Sequence, residues 1–195
     1  MSEKKSGINI KEILVSAAAL AIISGGVTAA LAATNALTKD RIDENNRNKE
    51  TDARKLVIQA DEFERQSLTD DGEEIIYFEA IKNGKSVGYV FTTTSTGKSA
   101  GLVVMTGIST DGEITGIKIT GNNESAGYVD MAIKTDKKNN IIGLPDRLVG
   151  KKAEKEFKLG VDVDAVSQAT KTSKGIIGGV NKAIEIFKSI AKEGQ

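Results

Sequence analysis

From Ile13 to Leu37 the chain reads ILVSAAALAIISGGVTAALAATNAL, about 25 residues without a charge. A helix of roughly 20 apolar residues crosses the hydrocarbon core of a bilayer, so this run predicts a membrane span over 13–37. Lys11 and Glu12 bound it on one side, and Lys39, Asp40 and Arg41 on the other. Ser16, Ser24, Gly25, Gly26 and Thr28 are small and allow another helix to come close within the lipid. A cleaved signal peptide, cut near Leu31-Ala32-Ala33, and a buried soluble helix are the competing readings. Against the first, the run is longer than the roughly 7–15 apolar residues of a usual signal core. The flanking charges do not orient the span: Lys4, Lys5 and Lys11 precede it, and Lys39, Arg41, Arg47 and Lys49 follow it.

Beyond the span the pattern turns polar. Residues 38–68 (TKDRIDENNRNKETDARKLVIQADEFERQSL) contain no Gly or Pro, and Leu56, Val57, Ala60 and Phe63 recur at helical spacing. This predicts a solvated helical stalk over 38–70 that docks where the apolar patch begins. From residue 73 the pattern is that of strands. Glu73–Ile81 and Lys85–Thr92 flank Asn83-Gly84, a strong hairpin signal because both central residues tolerate positive φ. Leu102–Ser109 and Glu113–Thr120 repeat the arrangement around Asp111-Gly112. Residues 121–150 are mixed and loop-rich, with the one proline at Pro145. From Ser173 to Ala191 the chain reads as an amphipathic helix, with Ile176, Val180, Ala183, Ile184, Phe187 and Ile190 on one stripe. The Gly178-Gly179 pair within it suits close packing on a sheet.

The resulting fold class is α+β. A short N-terminus (1–12) leads into the transmembrane helix (13–37) and the helical stalk (38–70). An antiparallel-sheet domain over 71–195 follows, covered and closed by the C-terminal helix.

Composition narrows the chemistry. Lys+Arg and Asp+Glu balance at 27 each, so the chain lacks the basic footprint of a nucleic-acid binder. It contains no Cys and no His. Disulfides, thiolate nucleophiles and cysteine-held clusters are therefore excluded, as are Ser-His-Asp triads, ordinary zinc sites and histidine-held haem. No metal site is expected, and redox work must rest on an organic cofactor. The charged stalk carries no chemistry of its own.

The chemically loaded stretch is Asp162–Gly175, DVDAVSQATKTSKG. Ser167, Thr170, Thr172 and Ser173 crowd the start of the last helix, with small Ala169 and Gly175 leaving room close to the backbone and Lys171 and Lys174 adding positive charge. The N–H groups of a helix N-terminus form a ready seat for phosphate. A plain reading competes: Thr170 or Thr172 is simply the N-cap.

Asp164-Ala165-Val166-Ser167-Gln168-Ala169-Thr170-Lys171-Thr172 resembles the flavinylation motif, with its Ser/Thr-Gly-Ala-Thr-x-Thr core. That motif marks the FMN-binding domain shared by the G subunit of Rnf-type ion-translocating electron-transport complexes and the C subunit of sodium-pumping NADH:quinone oxidoreductase. The segments TNALTKDRI, QADEFE and GYVFTTTSTGKSAGLVVMTGIS…DGEITGIKIT also resemble the Rnf protein. The resemblance implies one covalent FMN on Thr172, joined by a phosphoester. It also implies a separate flavin transferase that reads Asp164 and Ser167–Thr170, with Lys171 beside the phosphate. A second motif of that family, Glu-Thr-Pro-Gly-Leu-Gly, is matched by Glu124-Ser125-Ala126-Gly127-Tyr128-Val129. This loop lies against the flavin in relatives, which adds Glu124, Gly127 and Tyr128 to the candidate site.

The chain departs from the first motif at Gln168, where Gly is usual, and from the second at the Pro and the last Gly. A left-handed backbone at Gln168 costs about 1–2 kcal/mol. Tyr128 either stacks beside the flavin or packs within its loop. Glu124 either meets the flavin or faces solvent.

The resemblance further implies a single-pass protein of the cell membrane with its flavin domain outside the cytoplasm. It would relay electrons within an ion-translocating ferredoxin:NAD+ oxidoreductase, partnered by other membrane and redox subunits, the transferase and lipid. A stand-alone anchored flavoprotein and a non-redox module are the alternatives.

Overall fold

The computed structural model describes residues 10–70 and 72–193. Most of the short N-terminus expected over 1–12 therefore lies outside the described residues. The chain divides into two compact units, 1–48 and 49–195.

Helix α1 covers Ile10–Val57. Within the first unit its part from Ile10 to Lys39 is long and apolar enough to cross a membrane. Leu14, Val15, Leu20, Ile22 and Ile23 are all exposed, so the buried soluble helix is set aside. The hydroxyls of Thr34 and Thr38 donate to the carbonyls of Ala30 and Thr34, at 2.9 and 2.8 Å. These bonds satisfy both groups without water, as lipid requires.

The second unit is built on a five-stranded antiparallel sheet in sequential order: β1 (Glu62–Asp70), β2 (Glu73–Lys82), β3 (Lys85–Thr96), β4 (Ala100–Ser109) and β5 (Ile114–Gly121). The four expected strands are β2 to β5. At the first hairpin Asn83 and Gly84 adopt φ 51° and 72°, as a two-residue primed turn requires. At the second only Gly112 is left-handed, so the strands join through a longer loop in which Gly112 N–H donates to Ser109 O at 2.9 Å.

The helical stalk expected over 38–70 is corrected beyond Val57. Residues 62–70 form β1, paired along its length with β2 from Glu62↔Ile81 to Asp70↔Glu73. An edge strand tolerates charge on its open side, so EFERQSLTD pairs despite its polarity. Val57, Ala60 and Phe63 do share one core, but helix, loop and strand deliver them separately. Leu56 is exposed.

Both faces of the sheet are covered, which is why the middle of β3 (87–91) and most of β4 are apolar without strict alternation. On one face the end of α1 brings Ala53 and Val57, with Ile58 just after it, onto Ala80, Val90 and Met105. The Arg54 guanidinium lies 3.6 Å from the Phe78 ring centroid and pairs with Glu50 at 3.0 Å. Thr115 Oγ1 donates to the Val57 carbonyl at 2.6 Å, satisfying a helix-end acceptor.

On the other face lies α4 (Thr170–Glu193), whose Ile176, Val180, Ala183 and Ile184 bury against Phe91, Leu102 and Val104. Phe187 completes an aromatic cluster with Tyr89 and Phe91, at centroid separations of 6.1 and 6.5 Å. Gly179 has the close-packing role expected of it: a Cβ there would meet Val104 at 2.6 Å. Gly178 faces looser space. Between sheet and last helix, α2 (Tyr128–Ile133), a 3₁₀ turn (Lys137–Asn139) and α3 (Leu144–Leu148) fill the segment read as loop-rich, with Pro145 opening α3.

Loop carboxylates here carry pH sensitivity. The Lys155 ammonium, at 2.8 Å, and the Lys158 N–H together hold the Asp162 carboxyl below the usual carboxylate range. The side chain of Asn139 does the same for Asp136, joined by the amides of Asn139 and Lys138. A lowered folded-state value contributes stability that is present above the ordinary carboxylate value, ~4, and is lost as pH falls through the folded value. Acid unfolding followed by circular dichroism should therefore show Asp162→Asn losing less stability than wild type below pH ~4. Parallel curves would rule out this contribution.

Candidate flavin-attachment site

Helix α4 begins at Thr170, three residues earlier than its apolar stripe suggests. The capping reading of Thr170 and Thr172 is thereby corrected. Ala169 holds the cap place, its carbonyl accepting from Ser173 N–H at 2.8 Å. Thr170 and Thr172 both lie in the first turn. Ser173 Oγ turns back to accept from Val166 N–H at 3.2 Å, which ties the preceding loop to the helix. The turn into the helix is made by Gln168 at φ 65°, the left-handed position that the usual Gly would take without strain.

This geometry sorts the motif into two groups. Asp164, Ser167, Gln168, Thr170 and Lys171 are exposed, whereas Ala169, Thr172 and Ser173 are buried. The backbone of Asp164 is fixed: its carbonyl accepts from Arg147 Nη1 at 2.9 Å. The exposed residues of the motif thus flank a buried threonine.

Thr172, 1% exposed, donates its hydroxyl proton to Glu124 Oε2 at 3.1 Å. The other oxygen of Glu124 accepts the backbone N–H groups of Lys98 and Ser99, at 2.7 and 3.1 Å. Both family motifs thus converge on one point, and the β3–β4 turn joins them there. Glu124 does not simply face solvent: it bridges Thr172 to the turn. Gly127 is left-handed at φ 86° and precedes α2. Tyr128 opens that helix, and Lys98 Nζ lies 3.9 Å from its ring centroid.

The Gly97-Lys98-Ser99 turn carries site groups that the motifs do not single out. Its signal in the sequence is the glycine in Thr96-Gly97-Lys98-Ser99, at the one strand connection lacking an Asx-Gly pair. Gly97 lies close against the site: a Cβ there would collide with Glu124 Oε1, displacing that carboxylate, and meet Thr172 Cα at 3.3 Å. Gly175 faces it from α4, where a Cβ would come within 2.7 Å of Gly97 Cα. Ser95 Oγ donates to the Gly175 carbonyl at 2.7 Å and Thr93 Oγ1 to that of Gly179 at 2.8 Å, which fix the helix over β3.

The donor set suits a phosphate monoester. The Thr172 hydroxyl and the Lys98 and Ser99 amides meet around the Glu124 carboxylate at the head of a long helix, whose N-terminal end favours negative charge. Among the described residues no cluster of acidic side chains could hold a metal ion.

Residues 97–185 match the FMN-binding domain family, and residues 1–56 match the RnfG N-terminal region. The chain is 32% identical to the G subunit of the Na(+)-translocating ferredoxin:NAD(+) oxidoreductase complex of Acetobacterium woodii, over 98% of this chain and 99% of that protein. The chain belongs to the RnfG family. It is also 27% identical to the G subunit of the ion-translocating oxidoreductase complex of Methanosarcina acetivorans, over 94% of this chain and 98% of the relative. In this RnfG-family chain, the FMN-binding match begins at Gly97 and contains Lys98, Ser99, Glu124 and Thr172.

The left-handed Gln168 yields a direct prediction. Gln168→Gly removes about 1–2 kcal/mol of backbone strain and gives back part of it, about 0.4–1 kcal/mol, to a freer unfolded chain. The variant should be more stable by up to ~1.6 kcal/mol in denaturant titration. A less stable variant would show that Gln168 makes compensating interactions.

Proposed function

We propose that this chain is the membrane-anchored electron-transfer subunit of an ion-translocating ferredoxin:NAD+ oxidoreductase complex, carrying one FMN esterified through its phosphate to Thr172. The carrying observation is the convergence of Thr172, Glu124 and the Lys98–Ser99 amides at the head of α4, within the FMN-binding match. Near-complete coverage of two complex subunits supports a place in such an assembly over a stand-alone flavoprotein.

FMN, when bound, supplies the electron-carrying chemistry that a chain without Cys or His lacks. The protein's task is to hold it. The first turn of α4 stabilises the phosphodiester charge by about 0.3–1 kcal/mol. The ester itself prevents loss of the cofactor from the protein. Ser95 and Thr93, bonded to helix carbonyls, keep the head of α4 over the sheet. The exposed Asp164, Ser167, Thr170 and Lys171 serve as the address for a flavin transferase. Independent turnover of a small substrate is not expected.

The apolar helix anchors the chain, with the short N-terminus inside and the flavin domain outside the cytoplasm. Intact-mass measurement of protein purified from its own membranes should show the polypeptide plus one FMN less one water. The other proteins of the complex should copurify. An unmodified mass removes the covalent reading, and purification without companions favours the stand-alone flavoprotein.

A further inference from the structure

We propose that Glu124 is a stand-in anion: its carboxylate occupies, on the Lys98 and Ser99 amides, the seat that the phosphate on Thr172 takes after loading. This rests on the covalent attachment just proposed. It adds a seat for the phosphate and a reason why the unloaded threonine is covered.

Three observations carry it. Two consecutive N–H groups, Lys98 and Ser99, converge on a single oxygen, Glu124 Oε1, at 2.7 and 3.1 Å. Such a pair of backbone donors is an anion concavity, and it makes the same demand of a carboxylate oxygen as of a phosphate oxygen. The second carboxylate oxygen accepts a hydrogen bond from the Thr172 hydroxyl at 3.1 Å, on a residue only 1% exposed. The carboxylate thus shields the hydroxyl that must react. Finally, the turn and the helix head abut through Gly97 and Gly175, with no side chain between them. A phosphate on Thr172 Oγ1 is thereby within reach of the turn amides.

Chemistry makes the exchange necessary. An alcohol is esterified in water by an anhydride-activated phosphate, so the donor is a flavin dinucleotide. The Thr172 Oγ1–P bond forms, the P–O bond of the anhydride breaks, and the nucleotide monophosphate leaves. The hydroxyl proton passes to the transferase or to water. Glu124 then faces an ester oxygen with no proton to share and a phosphodiester of its own sign. Its hold on Thr172 is lost and the two anions repel, which frees Lys98 N–H and Ser99 N–H for the phosphate oxygens. Loading and movement of the 122–127 loop are therefore coupled.

The test uses the full-length unloaded chain in detergent, as wild type, Glu124→Gln and Glu124→Ala. Each is titrated with inorganic phosphate, and each is incubated with a flavin transferase and flavin adenine dinucleotide while in-gel fluorescence is followed. Vacating the seat in Glu124→Ala should strengthen phosphate binding about tenfold or more, the value of one or two charge-assisted hydrogen bonds. Glu124→Gln, neutral but still seated on the amides, should gain clearly less. Glu124→Ala should also be labelled several-fold faster than wild type. Equal phosphate affinities for the two variants would assign the gain to charge alone and overturn the proposal. Labelling that is unchanged or slower in a variant with a cooperative melt would overturn it too. If Glu124→Ala does not melt cooperatively, Glu124→Ser, too short to span to Lys98, takes its place. Failure to label wild type, in contrast, defeats the covalent reading and leaves the phosphate titration to judge the seat.

Discussion

Thr172→Ala should abolish the proposed covalent flavin: with transferase and flavin dinucleotide present, the band on a denaturing gel should be dark under ultraviolet light, while wild type should fluoresce. The effect is all or none because no neighbouring hydroxyl can substitute. Ser173 is buried and engaged with Val166 N–H. Thr170 is exposed, two residues before the buried Thr172 that meets Glu124. The folding cost is bounded. Alanine removes one hydroxyl bond to a carboxylate, worth about 1.5–3 kcal/mol, and Glu124 keeps its two backbone donors. Thermal unfolding should therefore shift by roughly 3–12 °C and stay cooperative, separating loss of attachment from loss of fold. Thr172→Ser retains a nucleophilic oxygen at the same place and should still be labelled, more slowly. A fluorescent Thr172→Ala chain would move the attachment to another side chain.

What the sequence disclosed follows the physics of each element. Strands β2 to β5 were legible because alternation and Asn83-Gly84 are local signals. Strand β1 was not. Glu62–Asp70 has the composition of a solvated helix, and only pairing with β2, a tertiary event, makes it a strand. The candidate membrane span announced itself by its length and its uncharged, apolar composition. At the site, Thr172 and the loop at Glu124 were visible through family motifs 48 residues apart. Their hydrogen bond was not, because spacing does not say which loops meet. Lys98 and Ser99 stayed hidden for a stronger reason: they act through backbone N–H groups, which any side chain would have offered. Only Gly97 left a trace. Gln168 is the reverse case, a position where the expected left-handed backbone is present although the residue that favours it is not.

The second large effect is expected at Gly175, which has no chemistry of its own. Gly175→Ala would place a Cβ 2.7 Å from Gly97 Cα, 2.8 Å from Gly97 N and 2.9 Å from Leu102 Cδ2. Two of these neighbours are backbone atoms, so no rotamer change relieves the contact. Either the head of α4 lifts or the 97–99 turn withdraws. Overpacking of this kind costs about 1–3 kcal/mol, which outweighs the ~1 kcal/mol that alanine ordinarily gains over glycine within a helix. Displacement also separates Thr172 from the turn amides, and a misplacement near 1 Å at a reacting group lowers its rate on the order of 10²-fold. Gly178→Ala is the control, one turn along the same helix. Its Cβ would meet nothing closer than Ser95 Cβ at 3.9 Å. That variant should gain up to ~1 kcal/mol from helix propensity and keep wild-type flavin loading. Denaturant midpoints and in-gel fluorescence of the pair decide the matter. Equal stability and equal labelling in the two variants would mean that the contact between helix head and turn does not set the geometry at Thr172.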